Sequence, residues 1–247
     1  MKTFKTFITE AGQRTERQET EFVNAINGTV EANNGNPIIV KTKTDTIKDV
    51  TGAEKYQGRQ RSGSEPYTDV QLFTTRGPLN VSMKGPSAPS LAGGGLRGIE
   101  EIIPGIGERF FNAAYQHHLK AGLEAGDKVP DLYGKLNDSD KELLVIGNTA
   151  MGGPIDLMYI GPMDVKYKTA DDVITLNGSL IDAEKYANSK DLYFRLRARR
   201  EDQRFDPEAK TRGGVPKIYG RSPSRGDSAG RLVITDRVPQ SRNVIIF

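Results

Sequence analysis

The clearest hydrophobic pattern in the chain lies between Tyr67 and Lys84, where apolar and polar residues alternate in two runs. The two runs are separated by Arg76-Gly77-Pro78, which is typical of a turn. Alternation with period two predicts strands with one buried face, and the turn between them predicts a β-hairpin. If the turn centres between Arg76 and Gly77, paired residues have numbers that sum to 153, and Asp69 lies opposite Lys84.

Apolar residues at helical spacing precede this hairpin. Phe22, Val23 and Ile26 form an apolar face within the stretch TERQETEFVNAINGTVEANNG, and Asn33-Asn34-Gly35 is typical of a helix end. The stretch NPIIVKTKTD then predicts a strand. The polar stretch VTGAEKYQGRQRSGSEP predicts an exposed loop.

The second half of the chain is rich in strand-like segments. After a glycine-rich run, LRGIEEIIPGIGERFFNAAYQHHLKAGLEAG predicts one or two helices, and IDAEKYANS a short one. Strands are predicted at ELLVIGN, IDLMYIGPMDVKYK, VITLNGSL, DLYFRLRAR, RLVITD and NVIIF. This order predicts an α+β fold with a mixed central β-sheet flanked by helices. We expect an amphipathic peptide at 1–14, an α/β core at 15–168 and a β-rich basic region at 169–247.

Composition and charge narrow the classes of partner. The chain has no cysteine, which excludes disulfides and thiolate metal sites, and no apolar run approaches the roughly 20 residues of a membrane helix. From Arg195 to Phe247, 13 Lys and Arg face 6 Asp and Glu, although the whole chain carries only +3. This basic quarter indicates an anionic partner such as DNA. The alternative is a solvated surface whose arginines pair with nearby acids. The candidate phosphate-binding residues are Arg199, Arg200, Arg221 and Arg225.

The hairpin also carries candidate chemistry in the segments PYTDV and NVSMK, which contain Asp69 and Lys84. An acid on one strand and x-x-Lys on its neighbour, after an acidic helix, resembles the PD-(D/E)xK nuclease superfamily. The resemblance implies a restriction-endonuclease-like core that hydrolyses DNA with Mg²⁺ or Mn²⁺. Asp69 would hold the metal and Lys84 would polarise the attacking water. The family usually has an acid two residues before the lysine, and this chain has Ser82 there.

A second carboxylate is therefore needed from a helix, because a single Asp holds Mg²⁺ poorly. The candidates are Glu21 on the preceding helix and Glu100 or Glu101 on the following one. Glu21 is favoured because members of this superfamily often place a metal-binding Glu on the N-terminal helix. The glycine-rich stretch SMKGPSAPSLAGGG would let the backbone approach a phosphate closely.

A rival candidate for the catalytic site lies in the segment GGPIDLMYIGPMDVKYK. Asp156, Asp164 and Lys166 give a literal PD-(D/E)xK-like pattern, with Pro154 two residues before the first acid. A hairpin that turns at Ile160 would place Asp156 opposite Asp164. An ordinary hairpin is the simpler interpretation of the same residues.

The first eleven residues, MKTFKTFITEA, resemble the capsid-targeting peptide of internal head proteins of T-even-type tailed phages. Ile8-Thr9-Glu10 matches their prohead-protease site, Leu/Ile-x-Glu, and whether the chain is cut after Glu10 is left open. The resemblance implies a phage protein of the host cytoplasm or the virion, with phage head proteins among its partners.

The sequence as a whole predicts a Mg²⁺-dependent DNA endonuclease of a tailed phage. The alternative is a non-enzymatic structural or internal head protein that binds DNA or neighbouring capsid or tail subunits. No membrane partner is expected, and the oligomeric state is left open.

Overall fold

A computed structural model describes residues 4–58, 66–86, 90–91, 103–105, 116, 119–127, 131–197, 231–238 and 244–246. The chain divides into two compact units, and each unit is built from two separate stretches. Unit one consists of Met1–Pro89 and Val145–Ser189, and unit two of Ser90–Leu144 and Lys190–Phe247. The division is therefore discontinuous, whereas the sequence led us to expect consecutive regions.

The helices with described bounds are α1 (Phe4–Ala32), α2 (Asp138–Ile146) and α3 (Ala183–Ser189), with a 3₁₀ turn at Thr149–Met151. The strands are β1 (Ile38–Lys41), β2 (Thr46–Lys55), β3 (Val70–Thr74), β4 (Gly77–Lys84), β5 (Ser90–Leu91), β6 (Asp131–Lys135), β7 (Leu157–Ile160), β8 (Tyr167–Ala170), β9 (Val173–Leu176), β10 (Ser179–Asp182), β11 (Tyr193–Arg197), β12 (Arg231–Thr235) and β13 (Val244–Ile246).

Unit one contains an eight-stranded sheet in the order β10-β7-β4-β3-β2-β1-β9-β8. Strands β1 to β4 form an antiparallel meander. Strand β7 runs parallel to β4 on one side of the meander, and β9 runs parallel to β1 on the other. The outer strands β10 and β8 are antiparallel to their neighbours. The sheet is mixed, so the predicted α+β class with a mixed central sheet is confirmed.

Helix α1 packs its apolar face on this sheet. Phe22 and Ile26 are fully buried in one core cluster with residues such as Leu72 and Val81 from the strands. The ring of Phe22 meets the ring of Tyr159 edge to face, with the ring centroids 5.2 Å apart. Burial of this face, rather than intrinsic helix propensity, supplies most of the stability of such a helix.

The helix ends where the sequence predicted, because Asn34 and Gly35 adopt positive φ angles of 56° and 77°. Its start differs from the expectation. It runs without a break from Phe4 to Ala32, so the described part of the predicted peptide 1–14 is the first part of a longer helix.

The predicted β3–β4 hairpin forms, but the predicted register is wrong. Thr74 pairs with Gly77 and Val70 with Val81, so the numbers of paired residues sum to 151. The turn is the dipeptide 75–76, and the φ of +126° at the next residue is one that glycine adopts easily. The strand pairing ends at Val70, and Asp69 is therefore not the cross-strand partner of Lys84.

Three other segments differ from their sequence predictions. The first part of the predicted loop, Val50–Lys55, belongs to β2, because pairing on both sides keeps a polar segment extended. Most of ELLVIGN lies in α2, which Asn137 caps through a 2.8 Å bond from the Asp140 N–H to Asn137 Oδ1. The predicted hairpin at Ile160 does not form, because β7 pairs with β4 and β10 instead.

Unit two contains a five-stranded sheet in the order β13-β6-β11-β12-β5. Its strands pair antiparallel except for β13 with β6. The predicted phosphate-binding residues Arg199, Arg200, Arg221 and Arg225 lie outside the described residues, as do Glu100 and Glu101. Within the described ranges, no helix is both long enough and apolar enough to cross a bilayer.

Candidate active site

Three neighbouring strands of unit one bring charged residues to the same end of the sheet. Lys55 is the last residue of β2, Asp69 immediately precedes β3, and Lys84 is the last residue of β4. The parallel strand β7 ends beside them, with Ile160 paired to Lys84. In α/β sheets, ligands bind outside the carboxyl ends of parallel strands. The position of this cluster is therefore suitable for a binding site.

The Asp69 carboxylate is fixed by β4. Its Oδ2 accepts a 2.5 Å hydrogen bond from the Met83 N–H and a 3.1 Å bond from Ser82 Oγ. The Lys84 ammonium lies 3.9 Å from the same oxygen, and both side chains are about one-fifth exposed, at 22% and 21%. The structure thus brings the two predicted residues together, although not through the predicted pairing.

Ser82 occupies the position where the PD-(D/E)xK pattern has an acid. Its side chain is 2% exposed and donates its hydroxyl hydrogen to Asp69. A serine at this position orients the neighbouring carboxylate instead of adding a second negative charge. Any second carboxylate must therefore come from another element.

Glu19 of α1 is the candidate for that second carboxylate. It is 19% exposed, and its Oε2 lies 3.5 Å from the Lys55 ammonium. Burial and the negative charge of Asp69 raise the pKa of Glu19, and the positive charge of Lys55 acts against them. The negative charge of Asp69 thus acts by repulsion on Glu19, whose partner Lys55 is the cross-strand neighbour of Val70, the residue after Asp69. A cation placed between the two carboxylates would relieve this repulsion.

Glu21, the predicted second ligand, is engaged elsewhere. Its Oε1 accepts a 2.6 Å bond from Arg17 Nε, and its Oε2 accepts a 2.8 Å bond from the Val165 N–H. The bond from Arg17 is the largest cause that lowers the pKa of Glu21. Arg17 also pairs with Asp164 at 3.2 Å. Glu21 is thus bound to Arg17 and Val165, whereas Glu19 is paired with Lys55 at the end of β2.

The rotation of α1 explains this outcome. An α-helix turns by about 100° per residue, so Glu19 and Glu21 lie on opposite flanks of the buried face. That face contains Gln18, Phe22 and Ile26, all of which are fully buried. The apolar spacing in the sequence locates the buried face and shows an acid on each flank. It carries no signal for which flank meets β2 and β3.

The sequence prediction also missed Gln18, which ties α1 to this end of the sheet. Its amide nitrogen donates to the carbonyl oxygens of Pro162, Gly161 and Lys84 at 3.0, 3.1 and 3.4 Å. The Gly161 N–H donates to the same Lys84 carbonyl at 3.0 Å. Because Gln18 precedes Glu19, one set of contacts positions both the glutamate and the backbone of the lysine.

The residues of the predicted rival site do not come together. Asp156 precedes β7, and its Oδ2 accepts a 2.7 Å bond from the Asn80 N–H. Asp164 follows the other end of β7 and pairs with Arg17. The backbone N–H of Lys166 donates a 3.1 Å hydrogen bond to Asn177 Oδ1. The rival prediction is wrong because the hairpin that it required is absent from this described segment.

Glu19 and Asp69 together would be a minimal donor set for a hard divalent cation. Mg²⁺ is often bound by one or two carboxylates, while water and substrate phosphates complete its coordination. Among the described side chains, no group of three His, Cys, Asp or Glu residues could hold a metal ion. Two mutually repelling carboxylates therefore fit a weakly held cation that substrate helps to retain.

Comparisons with known proteins do not assign this chain to a family. No protein-family model, curated protein or solved structure matches this chain. The function is therefore argued from the residues of the site and their contacts.

Proposed function

We propose that this protein is a divalent-cation-dependent DNA endonuclease whose active site lies at the shared end of β2, β3 and β4. Asp69 and Glu19 would hold Mg²⁺ or Mn²⁺, and Lys84 would lie beside the reacting phosphate. The observation that carries the proposal is the 3.9 Å approach of Lys84 to Asp69 at the end of the sheet, with the Glu19–Lys55 ion pair on the neighbouring strand β2. The proposal retains two residues of the PD-(D/E)xK resemblance and replaces Glu21 by Glu19.

Each of these side chains has a role that follows from its contacts. The bonds from Met83 and Ser82 hold the Asp69 carboxylate in one orientation, so little reorganisation is needed when it binds a cation. The Lys84 ammonium would stabilise the negative charge that develops on the phosphate oxygens. When bound, the divalent cation supplies further charge neutralisation and makes its bound water more acidic.

The charges of the cluster support an anionic substrate. Lys55 pairs with Glu19 and Lys84 with Asp69, so these four groups together are close to neutral. A divalent cation adds two positive charges. The loaded site then attracts a phosphodiester.

Cleavage of supercoiled and linear DNA in Mg²⁺ or Mn²⁺ tests the proposal. We expect Asp69→Asn, Lys84→Met and Glu19→Gln each to lose about a hundredfold or more in rate, which is the scale of a lost transition-state contact. Glu21→Gln is the matched control and should cleave like the wild type. Full cleavage by Asp69→Asn or Lys84→Met would refute the assignment.

DNA binding measured at several salt concentrations tests the basic region. If Arg199, Arg200, Arg221 and Arg225 contact phosphates, DNA affinity falls steeply as salt rises, because phosphate contacts release counterions. Replacement of all four by Gln should flatten the salt dependence. An unchanged slope would contradict their assignment to the DNA interface.

The second candidate function is that of a non-enzymatic internal head protein that binds DNA or neighbouring subunits. Ser82 in place of the usual acid favours this alternative, since it leaves the site with only two described carboxylates. The MKTFKTFITEA resemblance supports a phage origin and either the virion or the host cytoplasm as location. Metal-independent DNA binding without cleavage, with the protein present in purified virions, would favour this alternative.

A further inference from the structure

Lys55 is the second cation of the strand-end cluster, and the sequence patterns did not single it out. Its ammonium lies 3.5 Å from Glu19 Oε2 and donates a 3.1 Å hydrogen bond to the carbonyl oxygen of Glu16. Lys55 is 28% exposed and Glu19 is 19% exposed. The pair therefore lies at the boundary between the sheet and solvent, where an ion can enter without unfolding the protein.

The groups around Glu19 show what Lys55 does in the folded protein. Burial disfavours the charge of the Glu19 carboxylate, and Asp69, which precedes β3, and Glu16 of α1 both repel it. Lys55 from β2 opposes these effects as the counter-ion of Glu19. A divalent cation bound by Glu19 and Asp69 would compensate the same carboxylate with twice the charge.

We propose that Lys55 is an exchangeable counter-ion, which a divalent cation displaces from Glu19 and which then binds a backbone phosphate of the nucleic acid substrate. This inference rests on the proposed function, since it uses Glu19 and Asp69 as the ligands of the cation. A lysine suits such an exchange because its compact charge is carried on a flexible four-carbon stem. The Glu16 carbonyl is a neutral acceptor, so it holds the ammonium less strongly than an anionic phosphate would.

Exchange makes Lys55 and the cation competitors for Glu19. A partly exposed ion pair is weak, so its displacement lowers cation affinity only several-fold, and the remaining repulsion between ammonium and cation adds to this. We therefore expect Lys55→Met to bind Mn²⁺ about three- to tenfold more tightly than the wild type. In contrast, a lysine that merely organised the site would give a variant with weaker binding.

Calorimetric titration of the full chain with Mn²⁺ at pH 8, without DNA, tests the competition. Lys55→Met keeps most of the apolar stem, and Lys55→Gln is the second variant in case the first does not fold. Lys48→Met is the matched control, since Lys48 is an exposed residue of the same strand. In a Glu19→Gln background, Lys55→Met should no longer tighten Mn²⁺ binding.

The second half of the proposal is tested by DNA binding in Ca²⁺, which supplies the charge and slows cleavage. We expect Ca²⁺ to strengthen DNA binding several-fold less in Lys55→Met than in the wild type or Lys48→Met. Equal strengthening in all three proteins would overturn the phosphate contact.

The outcomes separate this inference from the proposed function. Mn²⁺ binding that is unchanged or weaker in Lys55→Met overturns the exchange and leaves the cleavage assay as the test of the enzyme. Wild-type protein that binds no Mn²⁺ overturns both. If Lys55→Met binds Mn²⁺ more tightly and the wild-type protein cleaves no DNA, the exchange is supported and the nuclease is refuted.

Discussion

The Gln18 amide is one of the contacts that hold α1 at the end of the sheet that carries Lys84. Gln18→Leu keeps the volume of the side chain and removes its polar atoms. The change deletes the bonds of 3.0 and 3.1 Å to Pro162 and Gly161, together with the longer contact of 3.4 Å to Lys84. The Lys84 carbonyl keeps its bond from the Gly161 N–H, so two carbonyl groups lose the amide donor.

The expected loss of stability follows from these two carbonyl groups, of which that of Gly161 is buried and that of Pro162 is partly buried. A buried acceptor left without its donor costs about 1–3 kcal/mol. Part of this cost is recovered, because Gln18 Oε1 is itself buried without a hydrogen-bond partner among the described residues, and leucine removes it. We expect Gln18→Leu to lower the free energy of unfolding by about 2 kcal/mol.

Urea unfolding followed by far-UV circular dichroism measures this change, since the chain has no tryptophan to report by fluorescence. The control is Gln57→Leu, an exposed position at which we expect almost no effect. Gln18→Glu should destabilise more than Gln18→Leu at neutral pH, because a carboxylate faces carbonyl oxygens. Its deficit should shrink at low pH, where the protonated acid donates a hydrogen bond. A Gln18→Leu protein as stable as the wild type would refute the reasoning.

Three further predictions concern single side chains in unit one. Burial and Asp69 raise the pKa of Glu19, so the folded protein binds the Glu19 proton more tightly than the unfolded chain does. Stability therefore falls as the pH rises from the unfolded pKa of Glu19 through its folded pKa. Urea unfolding of Glu19→Gln over this pH range should show a smaller fall in stability. Glu21→Gln weakens an exposed ion pair, so its melting temperature should stay within about 3 °C of the wild type and its Mn²⁺ affinity should not change. Gly178→Ala would place a methyl group 2.4 Å from the buried Tyr159 ring and should cost about 1–3 kcal/mol in thermal unfolding, whereas Gly28→Ala, which has open space in α1, should be neutral or stabilising. A neutral Gly178→Ala would contradict the close packing of that ring.

The local elements were predictable where a single pattern determined them. The alternation on both sides of the turn gave strands β3 and β4, and the apolar spacing with Asn33-Asn34-Gly35 gave the end of α1. The register was missed because Gly77-Pro78 reads as a turn, whereas the chain turns one residue earlier and Gly77 already belongs to β4. A short sequence does not distinguish these two alternatives, because both leave the apolar residues on one face.

Contacts between distant segments were not predictable in the same way. IDLMYIGPMDVKYK looks like a hairpin because its apolar and polar residues alternate, yet β7 finds its partners in β4, more than seventy residues earlier, and in β10. Likewise, Asp69 and Lys84 could be paired from a local hairpin, but the choice between Glu19 and Glu21 depends on how α1 is rotated on the sheet. That rotation is set by the packing of the whole core.

The sheet of unit one is built from two separate stretches of the chain, and this has a consequence for the synthesis of the protein. The meander β1 to β4 is complete when Lys84 has been made, but the strands that cover its two edges, β7 and β9, come from Leu157–Ile160 and Val173–Leu176. At a translation rate of roughly 5–20 residues per second, both edges stay open on the nascent chain for on the order of several seconds. Open edges pair readily with other chains, so a ribosome that stalls in this interval leaves an aggregation-prone product. Strands β3 and β4, whose shared end carries Asp69 and Lys84, are therefore synthesised before the two strands that cover the edges of their meander.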